Sequence, residues 1–193
     1  HEIIIKGDKN QPLPEGQIGE LTISGPSVAQ GYYNNTLATE QIFHQKIQGK
    51  EKLFLATGDN ALLWKENLYF AGRKKNIIII RGRNFYPQDI ELAISKIEEL
   101  RPGCLMAFSS GEENELEQLS VGVEIRSNLL KDKEVFTKYI LNKIDQKIIE
   151  IVMKFFQIIP NERIYLEPGT ITKTSSGKIK HSHNKKTYPI MRA

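Results

Sequence analysis

Short apolar runs separated by turn residues fill residues 1–72 of the chain. The runs are too short for ordinary helices, and Gly, Pro, Asn and Asp stand between them. Runs of this kind are typical of strands joined by hairpins. The pattern therefore predicts a small antiparallel β-rich unit with strands near residues 3–5, 21–23, 53–55, 61–64 and 68–70.

One helix is predicted inside this β-rich part. The hydroxyl of Thr36 can cap a helix N-terminus, and Glu40 follows about one turn later. We therefore expect a helix over residues 40–47, capped by Thr36.

The rest of the chain mixes strand-like and helix-like patterns. The β-branched run at residues 77–80 predicts a buried strand, and further strands are expected at residues 104–109, 119–125 and 163–166. Pro87 begins a helix whose apolar positions, 90, 93, 94 and 97, lie close to the helical period. A last helix is expected after Gly177.

Residues 131–156 are predicted to form one long amphipathic helix. Its apolar positions recur at helical spacing: Val135, Phe136, Tyr139, Ile140, Ile144, Ile148, Val152 and Phe155. All elements together predict an α+β fold. A small antiparallel β-rich subdomain is followed by a compact α+β C-terminal domain with a three-stranded sheet and flanking helices, and the polar residues 73–76 separate the two.

Composition narrows the class of protein. With 193 residues, 39% of them hydrophobic, the chain can bury a core. No apolar stretch approaches the roughly 18 to 20 residues of a membrane span. Cys104, the only cysteine, stands in an apolar run with no base apparent near it, which favours a buried thiol and a cytoplasmic protein. The chain begins at His1 without an initiator methionine or a signal pattern, so we expect a fragment of a longer protein.

The excess of positive charge is small. Lys and Arg number 27 against 23 Asp and Glu, a formal net charge of +4. A basic nucleic-acid-binding module, using the lysines of the long helix and residues 178–192, is a remote alternative, because few aromatic residues are interleaved with them and no recognition motif is present. A steep salt dependence of RNA affinity would favour that alternative.

Lys178 is the first candidate functional residue. It lies in residues 173–179 (KTSSGKI), where Gly177 and two serines predict a pliable loop that could carry a positive charge into a site. A phosphate-binding Walker loop is excluded, since Thr172 stands where the first glycine is needed and Ile179 follows the lysine. A solvated tail lysine is the other interpretation.

Asp59 and Arg73 are candidates for nucleotide binding. Asp59 is expected on a tight glycine turn at a strand end, where its two carboxylate oxygens could accept both hydroxyls of a ribose. For that segment taken alone, an aspartate that merely caps a turn is the favoured interpretation. Arg73 is either a surface arginine or, through its forked guanidinium, a ligand for ribose or phosphate oxygens.

Four segments, taken in order, resemble the adenylate-forming ligases, and the fatty acyl-AMP ligases most closely. They are residues 19–32 (GELTISGPSVAQGY), 57–59 (TGD), 72–91 (GRKKNIIIIRGRNFYPQDIE) and 173–179. The resemblance implies that residues 1–74 end a large N-terminal adenylation domain. It also implies that residues 75–193 form a mobile C-terminal lid domain with a hinge near Lys75.

The resemblance also implies residue roles. Asp59 would hold the ATP ribose, Arg73 would help to hold the nucleotide, and Lys178 would be the catalytic residue, offsetting negative charge as a carboxylate attacks the α-phosphate. The Mg²⁺ ligands would lie upstream, and no metal site is predicted in this chain. Asn60, Thr172 and Phe85 differ from the residues that are common at these positions in the family, and none of the three differences removes a charge from the proposed chemistry.

The activity that the resemblance implies is fatty acid activation. The intact enzyme would join a fatty acid to ATP and transfer the acyl group to the phosphopantetheine thiol of an acyl carrier protein. A fatty acyl-CoA ligase is the alternative. The fragment by itself is expected to be inactive.

Overall fold

The computed structural model describes residues 1–110, 117–129, 136–181, 183 and 184, except for the side chains of residues 136–138. The chain divides into two compact units, His1–Lys75 and Asn76–Ala193.

The first unit is built on an antiparallel sheet. Its elements are β1 (Glu2–Lys6), β2 (Gly19–Ser24), α1 (Thr36–Phe43), β3 (Gln45–Lys46), β4 (Leu53–Trp64) and β5 (Asn67–Arg73). The strand order is β1-β2-β4-β3, and β5 pairs with another part of β4. Neighbouring residues of β1 are both buried, Ile4 against Ile47 and Phe54, and Ile5 against Leu21 and Ala61. Because successive side chains point to opposite faces, the sheet is covered on both sides.

The cap of α1 differs from the prediction. The helix begins at Thr36 and ends at Phe43, and the side chain of Asn35 accepts a hydrogen bond from the Ala38 backbone N–H at 3.0 Å. Asparagine caps a helix as well as threonine does, and the N-cap is Asn35, one residue before the predicted cap Thr36. Ile47, predicted at the helix end, lies beyond β3 and is buried.

The runs at 53–55 and 61–64 are one strand rather than two. In the pairing with β2, Thr22 faces Ala56 and Glu20 faces Asn60, so residues 57–59 oppose the single residue Leu21. This bulge lets β4 continue through the Thr-Gly-Asp segment, which was predicted as a turn at a strand end.

The second unit contains a hairpin, a three-stranded sheet and two longer helices. Its elements are β6 (Ile78–Ile80), β7 (Arg83–Phe85), α2 (Pro87–Ile94), β8 (Leu100–Ser110), β9 (Gln118–Ile125), α3 (Phe136–Phe156) and β10 (Glu162–Leu166). The sheet order is β10-β9-β8, with β10 parallel to β9 and β8 antiparallel to it. The α+β fold class and the three-stranded sheet are therefore confirmed.

The two faces of this sheet are covered differently. Leu105 and Ala107 of β8 point to the face that packs against buried residues of α2 and α3. The alternate residues Cys104, Met106 and Phe108 point to the other face, where Ile171 and partly buried Ile179 pack. The segment around Lys178 is thus part of the packing of the second face.

Three expectations about buried residues need correction. Ile77 lies outside β6, and Ile79 is half exposed, because the two-stranded β6–β7 hairpin buries only alternate side chains. Tyr139 and Phe155, expected on the apolar face of α3, are exposed, whereas Ile144, Ile148 and Val152 are buried. The face of α3 that packs against the sheet is therefore narrower than its apolar positions predict. Residues 131–135 of the predicted helix lie outside the described residues.

Candidate active site

The backbone at the β4 bulge sets the position of Asp59. Gly58, the residue before it, has φ = 74°, a conformation that side-chain-bearing residues adopt at a cost. A Cβ there would meet only Arg73 Nη1, at 3.9 Å, so the requirement for glycine is conformational. Thr57 completes the bulge, since its hydroxyl donates to Leu21 O at 2.9 Å and accepts from the Asp59 N–H at 3.1 Å.

Arg73 lies directly opposite Asp59 in the β4–β5 ladder. Its Nε is 2.8 Å from Asp59 Oδ1, an ion pair of close contact. The N–H is not directed at the oxygen, and Oδ1 is shielded from solvent without accepting a hydrogen bond from any described residue. The Arg73 side chain is 61% exposed, and that of Asp59 is 23% exposed. A carboxylate oxygen with unused acceptor capacity suits a ligand that brings a hydroxyl donor, and here the hydroxyl would reach the oxygen only after the atoms that cover it had shifted.

Lys74 is held to the first unit next to this pair. Its Nζ is 2.9 Å from Glu20 Oε2, and the Nζ of buried Lys6 approaches the same oxygen at 3.5 Å. Lys75 follows in a 3-10 helix, Lys74–Asn76, and is the last residue of the first compact unit.

Lys178 stands at the end of a tight hairpin in the second unit. A β-bridge pairs Lys173 with Ile179, Thr174 N donates to Lys178 O at 2.7 Å, and Gly177 N donates to Thr174 O at 2.9 Å. Gly177 has φ = 81°, which permits the return of the chain. The segment predicted as a pliable loop is therefore a hydrogen-bonded turn, and Lys178 is exposed on it.

The predicted site residues fall into two groups. Asp59 and Arg73 are brought together in the first unit, and Lys75 ends that unit. Lys178 belongs to the second unit. Cys104 is buried, as predicted. Lys173 Nζ lies 3.1 Å from its Sγ, and the sequence does not indicate this contact because the two residues are 69 positions apart.

The sequence did not predict two buried polar residues that contact the base of the Lys178 hairpin, Glu124 and Asn184. Glu124 in β9 is fully buried, and its pKa is lowered although burial acts to raise it, because the N–H groups of Gly169 and Ile171 and the guanidinium of Arg101 stabilise the carboxylate. An acid inside the apolar run 119–125 was the one available signal. Asn184 is 1% exposed, and nothing in its local sequence indicates that burial.

Glu91 and His181 form a second partly buried pair. Glu91 Oε1 accepts from the Ala107 N–H at 3.0 Å and lies 3.8 Å from His181 Nε2. Burial raises the pKa of Glu91 to about 7, more than the Ala107 hydrogen bond lowers it. Burial also lowers the pKa of His181. The two groups thus connect α2 to the residues just after Lys178.

No three His, Cys, Asp or Glu side chains converge as metal ligands would in the described parts of the chain. None of the described helices has both the length and the apolar character to cross a lipid bilayer.

Comparison with known proteins gave no matching family profile. A medium-chain-fatty-acid–[acyl-carrier-protein] ligase, JamA of Moorena producens, is 35% identical over 171 residues, which is 86% of this chain and 27% of that protein. A probable long-chain-fatty-acid–AMP ligase, FadD30 of Mycobacterium tuberculosis, is 29% identical over 194 residues, 96% of this chain and 32% of that protein.

Solved structures are similar over nearly the whole chain. McyG A-PCP complexed with phenylalanyl-adenylate superposes with a TM-score of 0.79 at 31% identity, covering 98% of this chain and 32% of that one. A structure from a study of fatty acyl-adenylate ligases of E. coli and L. pneumophila gives a TM-score of 0.76 at 29% identity, covering 96% of this chain and 30% of that one. The chain therefore spans between about a quarter and a third of the length of these proteins.

Proposed function

We propose that this chain is the C-terminal part of an AMP-forming ligase. The premise is that the chain resembles a part of the adenylate-forming ligases and that fatty-acid ligases are among its relatives. The complete enzyme activates a fatty acid with ATP and transfers the acyl group to an acyl carrier protein.

The proposed reaction has two steps. In the first, a carboxylate oxygen of the fatty acid attacks the α-phosphorus of ATP, the bond from that phosphorus to the bridging oxygen breaks, and pyrophosphate leaves. In the second, the thiol of the phosphopantetheine group loses its proton and attacks the acyl carbon, and AMP leaves. The products are an acyl thioester, AMP and pyrophosphate.

The observation that carries this proposal is the buried Oδ1 of Asp59, which accepts no hydrogen bond from the described residues. A ribose diol has two hydroxyl donors, and a carboxylate has two oxygens to receive them. A hydroxyl would reach the shielded Oδ1 only after the atoms that cover it had shifted, and it would then satisfy an acceptor that has no hydrogen bond from the described residues. Arg73, opposite Asp59, is in ion-pair contact with the carboxylate, and its largely exposed side chain is available to ribose or phosphate oxygens.

Lys178 is proposed to act on the phosphorus centre by charge. Its ammonium group is exposed on a hydrogen-bonded turn, so it is available to a ligand. Two anions approach each other when a carboxylate attacks a phosphate, and negative charge develops on the phosphate oxygens. A positive charge placed there lowers the barrier of the adenylation step.

Lys75 is proposed as the hinge about which the second unit rotates between the two reaction steps. The chain is held to the first unit up to residue 74 by the contact of Lys74 with Glu20, and the second unit begins at Asn76. Rotation about the backbone of Lys75 would change the orientation of the unit that carries Lys178. The Mg²⁺ that accompanies ATP would be held by residues upstream of this chain, and no described residue is given a role in binding it.

The proposal is tested in the complete polypeptide that contains this chain. Lys178→Ala should lower fatty-acid-dependent pyrophosphate release about 10²- to 10³-fold, and hydroxylamine trapping should show the same loss of acyl-adenylate. Lys180→Ala is the matched control, because Lys180 is exposed on the same hairpin and its described hydrogen bonds involve only its backbone, which the substitution keeps. Unchanged pyrophosphate release in Lys178→Ala would overturn the role of this residue.

Measurements on the second step test the proposed rotation and identify the acyl acceptor. When chemically prepared acyl-adenylate is supplied, Lys178→Ala should still form the thioester, because its charge is needed only for adenylation. Equal loss in both steps would contradict a rotation that removes Lys178 before transfer. Offering a phosphopantetheine-bearing carrier protein or CoA then identifies the acceptor, and transfer to CoA alone would replace the carrier protein by CoA in the proposal.

A further inference from the structure

The base of the Lys178 hairpin is held at three consecutive residues, each by a buried partner from a different part of the second unit. Ile171 is held by Glu124, Thr172 by Asn184, and Lys173 by Cys104. The turn beyond them, residues 174–178, is exposed. The position of Lys178 therefore depends on how firmly these three residues are fixed.

Glu124 and Cys104 belong to the sheet beneath the hairpin. Oε1 of Glu124 accepts from the Ile171 N–H at 2.6 Å, while its Oε2 pairs with Arg101 Nη1 at 2.7 Å. The Lys173 ammonium donates to Cys104 Sγ at 3.1 Å. Both partners also maintain the sheet itself, so their substitution would disturb more than the hairpin.

Asn184 has a more specific role. Its Oδ1 accepts from Thr172 N at 3.1 Å and from Thr172 Oγ1 at 2.7 Å, and its Nδ2 donates to Thr172 O at 3.0 Å. Thr172 O also accepts from Lys180 N at 3.1 Å, on the returning side of the hairpin. One amide side chain thus pairs with both backbone groups and the hydroxyl of a single residue.

The chain returns to Thr172 through the residues that follow Lys178. His183 N and Asn184 N both donate to Lys180 O at 3.0 Å, which forms a helical turn directly after the hairpin. That turn carries Asn184 back onto the outgoing side. The hairpin and the turn therefore form a closed loop of hydrogen bonds with Lys178 near its middle.

We propose that Asn184 is a positioning residue for Lys178. It does not touch the substrate, and it acts by keeping Thr172 paired with Lys180, so that the exposed turn projects in one direction. This inference rests on the proposed function for its effect on catalysis, but the positioning itself can be measured without any activity. Displacement of a charged catalytic group by about 1 Å can cost on the order of 10²-fold in rate.

Amide hydrogen exchange of the 193-residue chain tests the positioning. Asn184→Leu keeps a similar volume but removes all three hydrogen bonds to Thr172. The amides of Thr172, Thr174 and Lys180 should exchange about tenfold faster or more, while sheet amides such as that of Val121 keep their protection. Asn142→Leu, the same substitution on the exposed side of α3, is the matched control and should change none of these amides.

Thr172→Val is the milder companion variant. It removes only the hydroxyl that donates to Asn184 Oδ1 and leaves both backbone hydrogen bonds in place. The hairpin amides should exchange faster by a smaller factor than in Asn184→Leu. Unchanged exchange of Thr172 and Lys180 amides in both variants would overturn the positioning role.

Kinetics of the complete ligase test the link to Lys178. Asn184→Leu should lower the kcat of adenylation about 10- to 10²-fold and leave the KM for ATP within about twofold, because a misplaced Lys178 weakens only the transition state. Thr172→Val combined with Asn184→Leu should lower kcat no further than Asn184→Leu alone, since both act through one contact. Fully additive losses, or a loss confined to KM, would contradict the proposal.

The two hypotheses fail in different ways. If the complete wild-type polypeptide forms no acyl-adenylate, the proposed function is wrong; if Lys178→Ala leaves adenylation unchanged, only the role of Lys178 is wrong. In both cases the exchange measurements still decide whether Asn184 positions the hairpin. If Lys178→Ala abolishes adenylation but Asn184→Leu has normal kcat, the function stands and the positioning role of Asn184 is refuted.

Discussion

Asp59 and Arg73 face each other across the β4–β5 ladder, with Arg73 Nε 2.8 Å from Asp59 Oδ1. The contact neutralises the carboxylate without using the acceptor capacity of this oxygen. A pair in a purely structural role would be expected to align its N–H and oxygen, because charge-assisted hydrogen bonds are the stronger arrangement. The acceptor capacity of Oδ1 is therefore unused, although the oxygen is shielded from solvent.

Removing the charge of Asp59 should weaken nucleotide binding. Asp59→Asn keeps the shape of the side chain but replaces one acceptor oxygen by an amide NH2 donor, so the KM for ATP in the complete ligase should rise about 10- to 10²-fold. Asp8→Asn, in an exposed turn of the same unit, is the control and should leave it unchanged. An unaltered KM for ATP in Asp59→Asn would show that Asp59 does not bind the ribose.

The raised pKa of Glu91 predicts that stability depends on pH. The pKa is about 7 in the folded chain against 4.5 for a free glutamate, so between these values the unfolded chain releases a proton that the folded chain keeps. The contribution of Glu91 is therefore fully present below pH 4.5 and is lost as pH rises towards about 7. The loss is about 3 kcal/mol at most.

Denaturation followed by far-UV circular dichroism, compared between the wild type and Glu91→Gln, isolates this contribution. Glutamine still accepts the Ala107 N–H, but it cannot ionise, so the advantage of the wild type should shrink as pH rises. His181 acts with the opposite sign, because its lowered pKa removes stability as pH falls below its ordinary value of 6.5. Glu98→Gln, at an exposed position, should keep the wild-type pH profile. Parallel profiles for the wild type and Glu91→Gln would contradict the prediction.

The β4–β5 turn should be stabilised by glycine. Lys65 and Glu66 connect the paired residues Trp64 and Asn67, and both have positive φ, 48° and 63°. This conformation matches the tight hairpin turn in which glycine is preferred. Glu66→Gly should therefore raise the free energy of unfolding by about 0.5 to 1 kcal/mol.

The fluorescence of Trp64, the only tryptophan, reports this change during urea denaturation because it adjoins the turn. Glu51→Gly serves as the control. Glu51 is exposed and does not have positive φ, so glycine there should be neutral or destabilising through added freedom of the unfolded chain. A lower midpoint for Glu66→Gly than for the wild type would refute the argument.

Local patterns predicted most elements but not their limits. Alternation in residues 119–125 and helical spacing in residues 87–97 are properties of neighbouring residues. β9 appears where it is expected, and α2 begins at Pro87 as expected but ends at Ile94, before the last predicted apolar position. The apolar pattern of residues 131–156 overstated the buried face of α3, since Tyr139 is 72% exposed. How many apolar positions are buried depends on the width of the sheet beneath the helix, which local spacing does not contain.

The bulge at Thr57-Gly58-Asp59 shows the same limit at the candidate site. Gly58 indicated an unusual backbone, and glycine is as compatible with a strand-end turn as with a bulge. Only the pairing of β4 with β2 and β5 distinguishes the two, because it supplies partners on both sides of residues 56–60. The same pairing brings Arg73 to Asp59.

The amino-acid sequence by itself determined the α+β class, the order of the motifs and the resemblance to adenylate-forming ligases, because these depend on residue type and spacing along the chain. Only the tertiary structure decided that Oδ1 of Asp59 is left without a hydrogen bond from a described residue and that Asn184 pairs with Thr172. Hydrogen bonds of this kind join residues according to distance and burial in space, and a side chain reveals its partner only when the packing around it is known.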